Sequence, residues 1–327
     1  MRGWKISRMS LVLLCALAFA AAPCRGAQEA DQPQGGPAGK ALTLAQAMVL
    51  GVVEGLTEYL PVSSTGHLLL AERVMGLGES RSHAIADRQQ TKEAADAYTI
   101  CIQLGAIIAV LGLYFRRVKQ MVRGLVGHDA EGRQLAINVL AGFLPAAVIG
   151  LLFNKIIKAY LFGVWPVVLA WFVGGGAILA VSWWRRQRGG PERSGRALAE
   201  LTWQLALIIG FAQCIAMWPG VSRSLVTIVG GLLVGLSLPA AVEFSFLLGL
   251  VTLSAATGYD TLKHGQVMVQ TFDAQALALG VVFAFAAAVL SVKWMVGYLN
   301  RHGLALFGYY RVALALVTGV LLMGGVL

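Results

Sequence analysis

The stretch GVVEGLTEYLPVSSTGHLLL, Gly51 to Leu70, is an apolar run broken at its centre by Pro61 and the hydroxyl triplet Ser63, Ser64 and Thr65. A straight span would not place a proline and three hydroxyls at mid-depth. Its surroundings, about 42–75, have the length of two half-helices joined by a turn. Unwound backbone at membrane depth is tolerated only where protein or a water-lined cavity covers it. The segment therefore reads as a re-entrant helical hairpin. Glu54 and Glu58 are four residues apart and share one helical face. Ionisable groups in such a setting are costly and persist mainly where they line a functional interior.

The rest of the chain supports a membrane setting. Of its 327 residues, 57% are hydrophobic and only 13% charged, whereas a soluble domain carries roughly 25% charged residues. Six further runs are long and apolar enough to cross a bilayer, at roughly 98–115, 135–153, 162–184, 241–262, 275–297 and 304–326. A second interrupted segment lies at about 198–236. The expected fold is all-α: a polytopic membrane protein with six transmembrane helices and two re-entrant hairpins.

The formal charge of +10 does not point to nucleic acid, because most Lys and Arg fall in short loops between apolar spans. Arg116, Arg117, Lys119, Arg123 and Arg133 follow the first span, and Arg185, Arg186, Arg188, Arg193 and Arg196 follow the third. Those ten are expected on the cytoplasmic side, which leaves both chain ends outside. Arg311, in the last span, reads as a snorkelling residue near its cytoplasmic end. Residues 1–27 have the basic, apolar and small-residue order of a signal peptide, and 28–40 form a polar linker. Cys15 and Cys24 fall in or beside that leader. Cys101 and Cys214 lie in separate apolar runs, with neither disulfide nor metal spacing.

The two interrupted segments align at an offset of 159 residues. Gly51 then meets Gly210, Glu54 meets Gln213, Tyr59 meets Trp218, Ser63 meets Ser222 and Thr65 meets Ser224. Each hairpin is followed by three spans. An odd number of crossings inverts the second copy, so halves at about 41–184 and 198–327 form an inverted repeat, with hairpin tips meeting near the midplane.

Chemistry concentrates at those tips. Ser63 or Thr65 suits a helix N-cap, and free N–H groups at a helix start attract phosphate. Capping explains one hydroxyl but not three hydroxyls, His67 and two glutamates together. At the second tip, Arg223 stands between Ser222 and Ser224, and a guanidinium can hold phosphate bidentately. Gln103 reads as a support for the first hairpin, and Glu243 as an interfacial cap or a partner for Arg223. Together the groups suit phosphoryl transfer on a lipid: a hydroxyl to attack, a carboxylate or histidine to move protons, and a cation for the phosphate. The glutamates also suit a divalent cation with oxygen ligands.

VEGLTEYLPVSSTGH at 53–67, IQLGAIIAV at 102–110, QCIAMWPGVSRS at 213–224 and EFSFLL at 243–248 resemble the undecaprenyl-diphosphate phosphatases of the bacitracin-resistance (BacA) family, over about 41–327. The resemblance implies hydrolysis of undecaprenyl diphosphate to the monophosphate carrier used in peptidoglycan synthesis, and hence bacitracin resistance. It also implies a divalent cation, Mg or Ca, and a site on the outer side of the bacterial cytoplasmic membrane. It assigns Ser64 as nucleophile, Glu58 or His67 as its base, and Glu54 with Glu58 as metal ligands. Arg223 falls on the phosphates, with Ser63, Thr65, Ser222 and Ser224 as further phosphate contacts. Attack by water or by His67 is left open. Leu225 and Val226 follow Ser224 where the family commonly has glycine, a bulkier approach to phosphate. The expected partner is undecaprenyl diphosphate in the bilayer, with no nucleic acid and with a homodimer as the candidate assembly. An isoprenyl-phosphate flippase is the alternative, since inverted repeats are typical of transporters. A second class of membrane phosphatase, the acid phosphatase type, places a histidine soon after Ser-Arg. No histidine follows Ser222-Arg223 before His264, which excludes it.

Overall fold

The computed structural model describes residues 42–77, 85–161, 163–187 and 195–325, and the leader and linker expected at 1–40 lie outside them. The first interrupted segment folds as α1 (Leu44–Thr57) and α2 (Ser64–Val74) around a turn. Thr43 opens α1 with a capping box: its hydroxyl accepts from Gln46 N at 3.2 Å, and its own N–H donates to Gln46 Oε1 at 3.0 Å. Pro61 lacks the N–H that would continue the helix. At 14 residues, α1 is about 21 Å long, short of a hydrocarbon core of roughly 30 Å.

The second segment repeats the design. It comprises α7 (Trp203–Gln213), one 3₁₀ turn at Cys214–Met217, and α8 (Arg223–Leu233). Its two ends are pinned together: Arg196 N–H donates to Gly235 O at 2.8 Å, and Ser237 N–H donates to Arg196 O at 3.0 Å. Between and after the hairpins run α3 (Ile85–Leu113), α4 (Phe115–Leu125), α5 (Ala130–Leu161) and α6 (Val164–Gln187), then α9 (Leu238–Thr271), α10 (Ala274–His302) and α11 (Ala305–Met323). No strand occurs among the described residues.

Five stretches are long and apolar enough to cross a membrane: 130–153, 164–187, 238–263, 274–302 and 305–323. They correspond to the second to sixth expected spans. The first differs. Helices α3 and α4 meet at Tyr114 with a 77° bend, so the first expected span is the one followed by a sharp break. The basic segment expected to be a loop is α4. Its apolar residues Phe115, Val122 and Leu125 are exposed beside exposed Arg116, Lys119 and Arg123, the pattern of a helix lying along an interface.

Central position belongs to α9, whose most apolar window is 61% buried against 33–39% for the other four spans. The hairpins pack on equivalent partners. A Cβ on Gly51 of α1 would lie 2.3 Å from Gly280 O of α10, and one on Gly210 of α7 would lie 2.4 Å from Gly142 O of α5. Glycine at both contacts lets backbones touch, as small residues do in membrane packing. In each case the partner is a long span that follows the other hairpin in the chain, α10 for α1 and α5 for α7. The glycines at 174 and 175 also serve close packing, with α11 seated against them.

Candidate active site

The turn between α1 and α2 is strained. Ser63 has φ +74°, the one positive φ at a non-glycine among the described residues, a conformation costing on the order of 1–3 kcal/mol. From there Ser63 Oγ caps α2 by accepting from Gly66 N at 3.5 Å. Ser64, the first residue of α2, is left facing the end of α1. Its hydroxyl donates to Glu58 Oε2 at 2.5 Å.

Glu58 also faces the second hairpin. Its Oε1 accepts from Arg223 Nη2 at 3.3 Å, and both side chains are nearly buried, at 6% and 10% exposure. Arg223 is the first residue of α8, so two helix starts converge here, each with free N–H groups suited to an anion. Arg223 is held on two further sides. Its Nη1 donates to Ser245 O of α9 at 3.0 Å, and its guanidinium carbon lies 5.2 Å from the Tyr59 ring centroid, within cation–π range. The result is a buried line of hydroxyl, carboxylate and guanidinium running from one hairpin to the other.

Glu54 lies one turn before Glu58. It is 1% exposed, and neither of its oxygens has a hydrogen-bond partner among the described residues. A carboxylate in that state is costly unless something else meets it. Two acidic side chains offer oxygen donors only, the chemistry of a hard divalent cation that completes its shell with water and phosphate oxygens. Among the described residues no group of three or more His, Cys, Asp or Glu gathers as a metal cluster. The donor set therefore fits a cation held by one or two carboxylates.

The remaining expected residues divide. Ser222 and Ser224 hydroxyls lie 2.8 Å apart, and both donate to Leu60 O, at 3.3 and 2.8 Å. They tie the second tip to the backbone of the first. Thr65 is exposed on α2. His67 turns away from Glu58. Its Nδ1 is 2.6 Å from Ser63 O and its Nε2 is 2.8 Å from Tyr310 Oη, with the ring stacked on Tyr310 and tilted against Trp171. Both ring nitrogens are engaged in this arrangement.

Glu243 does not partner Arg223. It accepts from Arg117 Nε at 2.6 Å, because the bend at Tyr114 swings α4 back over the head of α9. Gln103 does not reach the first hairpin tip; its Oε1 accepts from Thr257 Oγ1 of α9 at 2.7 Å. Gln213, the counterpart of Glu54, is 2% exposed and accepts from Thr252 Oγ1 at 3.4 Å, with its Nε2 unpartnered among the described residues.

The largest correction concerns Arg311, which is 0% exposed. Its Nη2 donates to Ala170 O and Gly220 O, both at 2.9 Å, and its Nη1 to Pro61 O at 3.4 Å. It does not snorkel; it sits between the two tips. Tyr59 and Tyr310 were also absent from the expected set. Tyr59 lies inside the first motif and aligns with Trp218, whereas none of the four motifs reaches Tyr310.

The family model described as Bacitracin resistance protein BacA matches residues 47–317. Similar curated relatives include the Undecaprenyl-diphosphatase of Sorangium cellulosum (strain So ce56), 48% identical over 269 residues that cover 82% of this chain and 83% of the relative. The Undecaprenyl-diphosphatase 2 of Rhodospirillum rubrum is 44% identical over 274 residues, covering 84% and 93% respectively. The Undecaprenyl-diphosphatase of Nitrosomonas europaea is 41% identical over 276 residues, covering 84% and 93%.

Proposed function

Because the chain belongs to the bacitracin resistance protein BacA family, we propose that it hydrolyses undecaprenyl diphosphate to undecaprenyl phosphate and inorganic phosphate. One observation carries the residue assignment: Glu58 accepts the Ser64 hydroxyl with one oxygen and Arg223 with the other.

In the proposed reaction Ser64 Oγ attacks the terminal phosphorus and its proton passes to Glu58. The bond to the bridging oxygen breaks, Glu58 hands that proton to the departing undecaprenyl phosphate and becomes a carboxylate again, and a phosphoseryl group is left. Water, deprotonated by Glu58, then attacks that phosphorus, the Ser64 Oγ–P bond breaks to release inorganic phosphate, and Glu58 returns this second proton to Ser64 Oγ. Ser64 is preferred to His67 because its hydroxyl already meets a carboxylate, while both nitrogens of His67 are taken. Arg223 exchanges part of its contact with Glu58 for the phosphate, and the two helix starts add N–H donors for developing charge. Ser63 acts through the strained turn that aims Ser64. Ser222 and Ser224 act through the Leu60 carbonyl, and Thr65 remains placed for a phosphate that reaches the α2 start.

A Mg or Ca ion would be held by Glu54 and Glu58, and when bound it would neutralise phosphate charge. A buried site among transmembrane helices fits a substrate whose isoprenyl tail stays in the bilayer. The family implies a cytoplasmic-membrane location, and the loop charges support an orientation with the first hairpin opening to the outer side, where hydrolysis would recycle the lipid carrier for peptidoglycan synthesis. No observation favours the transport reading.

The test is phosphate release from undecaprenyl diphosphate by the purified protein in detergent, with and without EDTA, for wild type and Arg223→Ala. Wild type should turn over, EDTA should abolish activity, and Arg223→Ala should lose roughly 100- to 1,000-fold in kcat. A wild-type protein that releases no phosphate would overturn the proposal.

A further inference from the structure

Under the offset that aligns the two hairpins, Pro61 is the counterpart of Gly220, and Ser64 is the counterpart of Arg223. Arg311 donates to the carbonyls of both Pro61 and Gly220. One guanidinium, carried by neither hairpin, thus binds the same backbone position in each copy. That position lies three residues before the proposed nucleophile in the first turn and three residues before the phosphate-binding arginine in the second. We infer that Arg311 is a positioning residue: it sets the separation of the two turns and so brings Ser64 and Glu58 into register with Arg223. This inference rests on the proposed phosphatase reading for its kinetic consequence, though not for its geometry.

The surroundings fit a clamp better than a packing charge. The side chain is wholly buried, and among the described residues its guanidinium meets no carboxylate. A buried charge kept for stability alone is readily replaced by an apolar side chain. A planar group with fixed, divergent N–H bonds is needed to reach two turns at once. Its third acceptor, Ala170 O of α6, anchors the fork to a span outside the hairpins. Room for it comes from Gly174, where a Cβ would lie 2.5 Å from Nη2. Gly220 has φ +93°, a backbone conformation that favours glycine and that presents its carbonyl to Arg311. The neighbouring Tyr310 holds His67, so α11 grips both the first turn and the start of α2.

The test compares Arg311→Lys and Arg311→Gln with wild type. Two readouts are taken: steady-state hydrolysis of undecaprenyl diphosphate, and amide hydrogen exchange over residues 60–64 and 219–223. A lysine keeps the charge but has a single nitrogen, so it cannot hold both carbonyls in the same geometry. Both variants should lose about 100-fold in kcat, as expected for a misplacement of order 1 Å, with KM within about threefold of wild type. Both turns should exchange faster. Should either protein fail to elute as a single folded species, Gly174→Ala provides the milder perturbation, displacing Nη2 while leaving Arg311 in place, with the same split between kcat and KM. Wild-type kcat in Arg311→Lys would overturn the inference, as would an effect confined to KM, which would make Arg311 a phosphate contact. If the wild type itself releases no phosphate, the phosphatase reading fails, and the exchange comparison decides Arg311 alone: unchanged protection in both turns overturns it.

Discussion

The two hairpin tips share a scaffold and differ in chemistry. Each is a short helix, a turn and an 11-residue helix opened by a serine cap, Ser63 in one and Ser222 in the other. Each first helix meets its neighbour through a glycine, Gly51 or Gly210. Against that constancy, Glu54 faces Gln213 and Ser64 faces Arg223 across the repeat. The first tip supplies anions and a hydroxyl, the second a cation. Two similar hairpins can thus carry different chemistry at one shared point. The difference at the first residue of the second helix brings a hydroxyl and a guanidinium to the same carboxylate, Glu58.

The sharpest way to break the comparison is to remove the residue that links the tips. Glu58→Gln keeps the size of the side chain but loses the carboxylate that accepts from both Ser64 and Arg223. Turnover should fall by about 10²- to 10⁴-fold, the range for loss of a general base, with KM changing little. Single-turnover phosphate release measures this directly. Retention of more than a tenth of wild-type kcat would show that the hydroxyl–carboxylate–guanidinium line is not the reacting one.

A smaller effect is expected from making the first tip resemble the second at one position. Glu54→Gln converts the acidic residue into its counterpart and removes one candidate metal oxygen pair. Activity at wild-type Mg concentration should drop roughly 100-fold and recover in part as Mg is raised, because a weakened site needs more cation. Metal titrations of both proteins give the answer. An unchanged half-saturating Mg concentration would mean that Glu54 is no ligand.

The first tip is legible in the sequence because its polar groups are close together: Glu54, Glu58 and Ser64 fall within eleven residues, and their types are expensive in an apolar run. Arg223 was legible as a lone cation beside serines. Arg311 was misread for a physical reason. Its acceptors are backbone carbonyls, which leave no residue-type signature, and they come from positions 91, 141 and 250 residues away. An arginine in an apolar span is identical on paper whether it snorkels or clamps. Glu243 reads in the sequence as an interfacial cap or a partner for Arg223, and nothing there shows that the bend at Tyr114 delivers Arg117 to it instead. Basic residues between spans looked like a loop, and only the exposed apolar edge of Phe115, Val122 and Leu125 marks α4 as an interfacial helix. The spans themselves were readable because their length and apolarity are set by the bilayer and need no partner to be seen.

The smallest predicted effect tests the shared scaffold rather than the chemistry. Gly51→Ala and Gly210→Ala each place a methyl group within 2.3–2.4 Å of a backbone oxygen on a neighbouring span. Backbone cannot yield as a flexible side chain can, so each helix must shift away from its partner. Overpacking of this kind costs about 1–3 kcal/mol, and the near-identical approaches make the two expected costs similar. Catalytic consequences should diverge. Shifting α1 moves Glu54 and Glu58, which are on that helix or its end, whereas shifting α7 moves Gln213 and leaves Arg223, beyond the 3₁₀ turn, tethered by Ser245 and Tyr59. Thermal unfolding in detergent should therefore show matched destabilisation, while kcat falls further in Gly51→Ala than in Gly210→Ala. Equal stability losses with equal kcat losses would mean that the second tip is as reactive as the first. A marked destabilisation in only one variant would mean that the two glycine contacts are not equivalent.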